Sequence, residues 1–257
     1  MPPLQAVDNR RLYRQIADQI TALIEKGEYA KGQRLPPERD LAKQLGVSRP
    51  SVREALIALE VEGYVEVRVG SGVYVVGARP PEAARALAAD SGPFELIKAR
   101  WLIEAECAAM AARSATRAQV RAIEQALERM EAERRKGAMP LDADRDFHLR
   151  IAEACGNSAL ALVVKTLWEQ RTGALFRRLE EHFDTPDLWN HAIREHRAIL
   201  EAIARHDAAG ARAAMRRHMH HAGRRFSTSW ENQNRGRSRN SPAETAVAGR
   251  KRAASRR

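Results

Sequence analysis

Residues 35–63 read Leu35-Pro36-Pro37-Glu38-Arg39-Asp40-Leu41-Ala42-Lys43-Gln44-Leu45-Gly46-Val47-Ser48-Arg49-Pro50-Ser51-Val52-Arg53-Glu54-Ala55-Leu56-Ile57-Ala58-Leu59-Glu60-Val61-Glu62-Gly63. Pro37, Glu38 and Asp40 suit the start of a short helix, because proline fits a first turn and carboxylates complement the helix dipole there. Gly46 stops that helix at about Leu45. Ser48 caps another, which runs to about Glu62 with Val52, Leu56, Leu59 and Val61 as apolar positions and Gly63 as its stop. Upstream, Leu12, Ile16, Ile20, Leu23 and Ile24 recur at helical spacing and predict a first helix near 10–26. Downstream the period changes to two. Residues 64–69 alternate, Gly70-Ser71-Gly72 turns, and Val73-Tyr74-Val75-Val76 returns, which is a β-hairpin. Three helices and a hairpin are the parts of a winged helix-turn-helix. Arg49 and Arg53 lie four apart on the third helix and share a face. An exposed arginine pair on its first turns suits guanine edges in the major groove, with Ser48 and Ser51 short enough for phosphates to approach.

Beyond the hairpin, residues 77–92 read as a linker. From 93 to 230 the pattern is helical, with helices expected near 94–112, 116–136, 141–155, 158–179, 186–205 and 207–230. Thr116, Ser158 and Asp207 are possible caps and Gly156 is a stop. The expected fold class is therefore mainly α: a winged helix-turn-helix over 10–76, then an antiparallel helical bundle over 93–230. The 257-residue chain carries a formal net charge of +11. Residues 231–257 hold eight Lys or Arg against two Asp or Glu and so supply +6 of that excess. Their Arg, Ser, Asn and Gly richness predicts a disordered basic tail. Cys107 and Cys155 imply neither a disulfide framework nor a zinc knuckle, and read as small buried thiols. With no apolar leader and no long apolar run, the chain is expected to be soluble and cytoplasmic, with no membrane partner.

In the helical half, Asp144 and His148 share a face, whereas Asp146 points elsewhere. Glu195-His196 and the run His218, His220 and His221 lie on later helices. One aspartate and three histidines from three helices can hold a divalent ion, zinc above all, or nickel or manganese, with positions left for water or an anion. Spacing alone does not bring them together.

The residues quoted for 35–63, with Gly70 and Gly72, resemble the GntR family of bacterial regulators. That resemblance makes Arg39, Arg49 and Arg53 the main contacts to double-stranded DNA, with Ser48 and Ser51 beside them and Gly70 at the wing. Pro37 stands where the family more often has a small capping residue. Phe94-Glu95-Leu96 leading to Arg100, Leu102-Ile103-Glu104, Asp144 to Phe147-His148, Gly156-Asn157-Ser158, Glu195 to Leu200, and Met215 to His218 resemble the FCD ligand-binding domain of the FadR branch. The resemblance implies Asp144, His148, His196 and His218 as metal ligands, with His220 and His221 as alternates and His182, His191 and His206 at the surface. It gives Arg100 a place in the pocket, pairing with an effector carboxylate; the competing role is a helix-surface salt bridge with Glu104. Asn157 suits either turn chemistry or ligand contact. It further implies a homodimer on a palindromic operator.

Within the branch, Arg10 to Tyr13, Leu59 to Arg68, Gly92 to Leu96, Asn157 to Leu160 and Leu167-Trp168 look like hexuronate-operon repressors. The expected function is a repressor released from its operator by a hexuronate such as galacturonate, glucuronate or fructuronate. The alternatives are another small acid (gluconate, galactonate, lactate or pyruvate), or a metal-dependent enzyme. No well-placed nucleophile or general-base motif supports the enzyme, and the expectation is that the chain is not one.

Overall fold

A computed structural model describes residues 11–77 and 91–226. The linker expected over 77–92 lies mostly outside the described residues, and the expected basic tail lies wholly outside them. Helix α1 (Leu12–Glu25) packs on α3 (Arg49–Val61), and α2 (Glu38–Leu45) packs on α3 as well. The expected caps are in place. Gly46 takes the left-handed conformation at φ 67°, and Ser48 Oγ accepts the Ser51 N–H at 3.3 Å. Strands β1 (Val65–Arg68) and β2 (Gly72–Val75) pair antiparallel, Val65 opposite Val75 and Arg68 opposite Gly72. The link is thus residues 69–71, one residue earlier than the alternation suggests. Gly72 sits at φ 130°, and a Cβ there would lie 2.5 Å from Arg34 Nε. Residues 33–35 lie along the free edge of β2, where Leu35 N–H donates to Val73 O at 2.8 Å. Covering that edge gives the wing a third, short strand-like neighbour.

Seven helices follow among the described residues: α4 (Pro93–Ser114), α5 (Arg117–Arg135), α6 (Leu141–Ala154), α7 (Ser158–Gln170), α8 (Ala174–Phe183), α9 (Pro186–Ala204) and α10 (Ala208–Arg225). Thr116 and Gln119 form a reciprocal capping box, and Asp207 accepts the Gly210 N–H. Asn157 is the cap of α7, accepting the Leu160 N–H at 3.1 Å, so turn chemistry accounts for it and Ser158 becomes the first helical residue. The single helix expected over 158–179 is two. Bonds of the i→i−3 kind tighten the end of α7 through Arg171, Thr172 and Gly173, and Gly173 then adopts an extended ψ of 151° that starts α8 afresh. Alanines of α4, with Ile123, Phe147, Ile151, Ile199, Ile203 and Met215, fill the bundle core. Cys107 and Cys155 are buried beside Val164 and Trp168, and burial pushes the Cys107 thiol up to about 12.

Helix α8 leaves the bundle and packs on α3. Leu175, Phe176, Leu179, Phe183 and Phe226 belong to one apolar cluster with Ile16, Leu56, Leu59, Val65 and Val75 of the N-terminal unit. A second hold is Glu54 on α3, whose Oε1 accepts the Phe94 N–H at 2.7 Å. Burial pushes the Glu54 carboxyl up to about 7.

Candidate metal centre and DNA-reading face

Helix α6 presents Asp144 and His148 one turn apart, α9 brings His196, and α10 brings His218. All four side chains are buried, and one ligand atom from each lies within 4.8 Å of the others. His196 Nε2 is 3.0 Å from Asp144 Oδ1 and 3.1 Å from His148 Nε2. The far nitrogen of each ring faces an oxygen. His196 Nδ1 lies 2.7 Å from Ala192 O, His218 Nδ1 lies 2.9 Å from Glu195 Oε2, and His148 Nδ1 meets Glu104 Oε2 at 2.5 Å in a poorly aligned contact. Oxygens at the outer nitrogens hold the inner ones toward a common point, which is how ligating imidazoles are oriented.

Protonation suits a cation. Burial drives the His148 imidazole down despite Glu104, and drives His218 well below its ordinary value, with His196 and His148 adding repulsion. Neutral imidazole is the ligating form. Burial alone would raise the Asp144 carboxyl, but His196, His148 and Arg171 reverse this and hold it well below the carboxylate range. Glu104 is likewise carried past the effect of burial to about 2, by Arg100 and His148. Three imidazoles and one carboxylate, all converging, are a donor set that fits a divalent metal ion.

Arg100 is not on the helix surface. It is 3% exposed, its Nε donates to Glu104 Oε1 at 2.6 Å, its Cζ lies 3.9 Å from the centroid of the Trp168 ring, and one terminal nitrogen has no hydrogen-bond partner among the described residues. The salt bridge weighed against a pocket role is therefore present, but inside. Arg100, Asp144 and His218 line one cavity with Arg171, Phe176, Asp184, Trp189 and Phe226. Sequence reasoning missed Arg171, whose Nη1 donates to Asp144 Oδ2 at 3.2 Å while its other arm pairs with Glu180. Its one available signal was the adjacent Thr172-Gly173 break. Asp184 was also missed; burial pushes its carboxyl up to about 6.

The remaining histidines lie outside this cluster. His221 is exposed and pairs with Glu195, and His191 and His206 are exposed as expected. His220 lines a groove between α1, α3, α4 and α10. His182 departs from the expected surface position: its Nε2 lies 2.6 Å from Glu60 Oε2, between α8 and α3.

On the N-terminal unit, Arg39 and Arg49 are exposed, at 81% and 45% of their side chains. Ser48 is exposed and hydroxyl-bonded to the half-buried Ser51 at 2.9 Å, and Gly70 is at the wing tip. The expected exposed pair is half realised, because Arg53 is 1% exposed. Its Nε donates to Glu38 Oε1 at 2.6 Å and its Nη2 to Glu38 Oε2 at 2.5 Å. Its Nη1 donates to the Phe226 carbonyl, and its guanidinium lies 5.1 Å over the Phe183 ring. A fork with both arms paired and an aromatic face beneath it is satisfied inside the molecule.

Comparison with known proteins matches residues 12–75 to the bacterial regulatory proteins of the gntR family, and residues 95–221 to the FCD domain. The chain is 40% identical over 223 residues to the Exu regulon transcriptional regulator of Escherichia coli K12, covering 84% of each protein. It is 38% identical over 228 residues to the Uxu operon transcriptional regulator of the same organism, covering 86% of this chain and 89% of the relative. The chain belongs to the GntR family. It is a transcription regulator with a DNA-binding head and an FCD domain, and its relatives are regulators rather than enzymes. Among solved structures, the Streptococcus agalactiae GntR aligns at a TM-score of 0.46 and 27% identity, over 82% of this chain and 99% of that one. No helix among the described residues of this GntR regulator is long and apolar enough to cross a membrane.

Proposed function

We propose that the chain is a homodimeric repressor that leaves a palindromic operator when a small carboxylate, a hexuronate such as galacturonate, binds beside a divalent metal ion in the FCD domain. The observation that carries the effector half is the placement of Arg100. A buried guanidinium with a spare donor shares a cavity wall with Asp144 and His218, two of the four converging metal donors. A metal supplies open positions for carboxylate oxygens, and an arginine fork supplies paired donors. Zinc suits the donor set best, with nickel and manganese as alternatives. The choice of hexuronate rests on the similarity to regulators named for the Exu and Uxu systems.

On DNA, Arg39, Arg49 and Arg53 read or flank base edges, Ser48 and Ser51 admit phosphates, and Gly70 lets the wing approach the backbone. The dimer is supported by α4 and α7, which pack side by side and expose Leu102 at 56%, Leu162 at 64% and Val163 at 40%. Exposed apolar groups on adjacent helices suit a second copy of the same surface.

The test is fluorescence-anisotropy binding to the chain's own upstream DNA, with excess random competitor, with and without galacturonate, glucuronate, fructuronate, gluconate and lactate. Tight binding lost with one hexuronate is the expected result. Tight binding indifferent to every acid removes the effector assignment, and no preference over random DNA removes the operator.

A further inference from the structure

Two features of this conformation stand against both proposed ligands. The cavity beside Asp144 and Arg100 has a volume of about 20 Å³. That holds roughly one water, whereas small-molecule sites run to about 300 Å³ and more. Arg53, a proposed DNA contact, is closed off by the Phe226 carbonyl and the Phe183 ring. The same elements produce both. Phe176 and Phe226 line the cavity, and Leu175, Leu179, Phe183 and Phe226 are packed into the core of the N-terminal unit. Helix α8 is further pinned to α3 by Glu60, whose Oε2 meets His182 Nε2 at 2.6 Å and whose Oε1 accepts from Arg178 at 3.1 Å. The Glu60 side chain is almost wholly buried, and hydrogen bonds from His182, Arg178 and the Val67 N–H carry it below its ordinary value against the effect of burial.

We infer that α8 and Phe226 form an intramolecular clasp, and that this conformation is a self-masked state able to bind neither operator nor effector. Moving its Phe176 and Phe226 walls outward enlarges the cavity. Exposing Arg53 requires Phe226 and Phe183 to leave it. Both ligands therefore draw on one opened form, and the apparent affinity of each is reduced by the fraction of molecules that are open. The clasp rests on the proposed DNA role of Arg53, and its second arm on the proposed effector cavity. Effector and operator then compete as the proposed function requires, among opened molecules, through the spacing of the reading heads.

The test is the full-length double variant Arg178→Ala with His182→Ala. In the closed form it leaves the Glu60 carboxylate buried without its two side-chain partners, which disfavours closure; the opened form lets Glu60 reach water. Operator and galacturonate should each bind roughly fivefold or more tightly. Loss of two basic side chains acts in the opposite direction on DNA, so tighter binding cannot be a charge effect. Unchanged or weaker operator binding, in a variant with wild-type circular dichroism and metal content, overturns the clasp, and so does tighter galacturonate binding alone. Tighter operator binding with no galacturonate binding at all keeps the clasp and sinks the effector reading. If the variant does not fold, hydrogen exchange on the wild-type chain decides. Amides of α8 should lose protection when operator duplex is added, and unchanged or increased protection overturns the clasp.

Discussion

Arg171 reaches from the end of α7 to Asp144 on α6, Nη1 to Oδ2 at 3.2 Å, so a guanidinium and the metal site share one carboxylate. The other arm of Arg171 pairs with Glu180 on α8. A fixed cation and the proposed metal ion would therefore both neutralise Asp144. Arg171→Gln should cost about 3 kcal/mol of stability without metal, the usual scale for breaking a buried pair. The cost should be smaller with zinc bound, because the ion takes over part of the compensation. By linkage the variant must then bind zinc more tightly than wild type. Equal losses with and without zinc, measured by chemical denaturation and chelator competition, would show that Arg171 and the metal do not share Asp144.

His148→Ala should abolish stoichiometric metal. It removes one of four donors and leaves Glu104 facing a hole in the core, without the imidazole that helps hold its carboxyl low. In wild type, metal should raise the melting temperature in a concentration-dependent way, because it binds the folded chain. In the variant that increment should vanish. Elemental analysis is the direct check, and full occupancy in the variant would refute the ligand set.

The parts that could be read from the sequence were local. Helix periods, the Ser48 and Thr116 caps, the Gly46 stop and the hairpin each depend on residues within one or two turns, and all are in place. The Asp144–His148 pair was legible for the same reason. What escaped depends on distant partners. Arg53 is buried by Phe226, which is 173 residues away, and no helix-face argument can foresee that. Arg171 finds Asp144 across 27 residues, from the last turn before a helix break whose only marks are Thr172 and Gly173. His182 looked like a surface residue because its carboxylate partner, Glu60, is 122 residues upstream.

Glu54 should make stability depend on pH in a definite direction. Its carboxyl sits at about 7 in the folded chain against 4.5 in the unfolded one. The folded state therefore binds more protons between those values, so its contribution is full below 4.5 and is lost as pH rises through 7. Glu54→Gln keeps an acceptor for the Phe94 N–H and removes the charge. The variant should exceed wild type by about 1–3 kcal/mol at pH 8 and match it near pH 4.5. Parallel pH–stability curves for the two proteins would count against a buried proton at Glu54.

Arg49→Ala should weaken operator binding by about 1–3 kcal/mol and relax base choice at one position in each half-site. Arg49 is exposed at 45% and its pairing to Glu38 Oε2 is long at 3.3 Å, so it is available to a base edge. Arg39→Ala should have the same sign. A gel-shift series with unchanged affinity and unchanged base preference for Arg49→Ala would remove it from the reading set.

Leu102→Glu with Leu162→Glu should convert the chain to a monomer. Both side chains are more than half exposed in the single chain, so neither change opens a cavity and the cost to folding should be small. In a dimer joined along α4 and α7, each would instead place a carboxylate in an apolar contact, which is expensive without a paired cation. Sedimentation should then show a folded monomer. Operator affinity should fall by about 100-fold or more, because two tethered reading heads raise each other's local concentration and single heads do not. A folded double variant that sediments as a dimer places the subunit interface elsewhere. A monomer that still binds the operator at wild-type affinity removes the two-headed reading of the DNA.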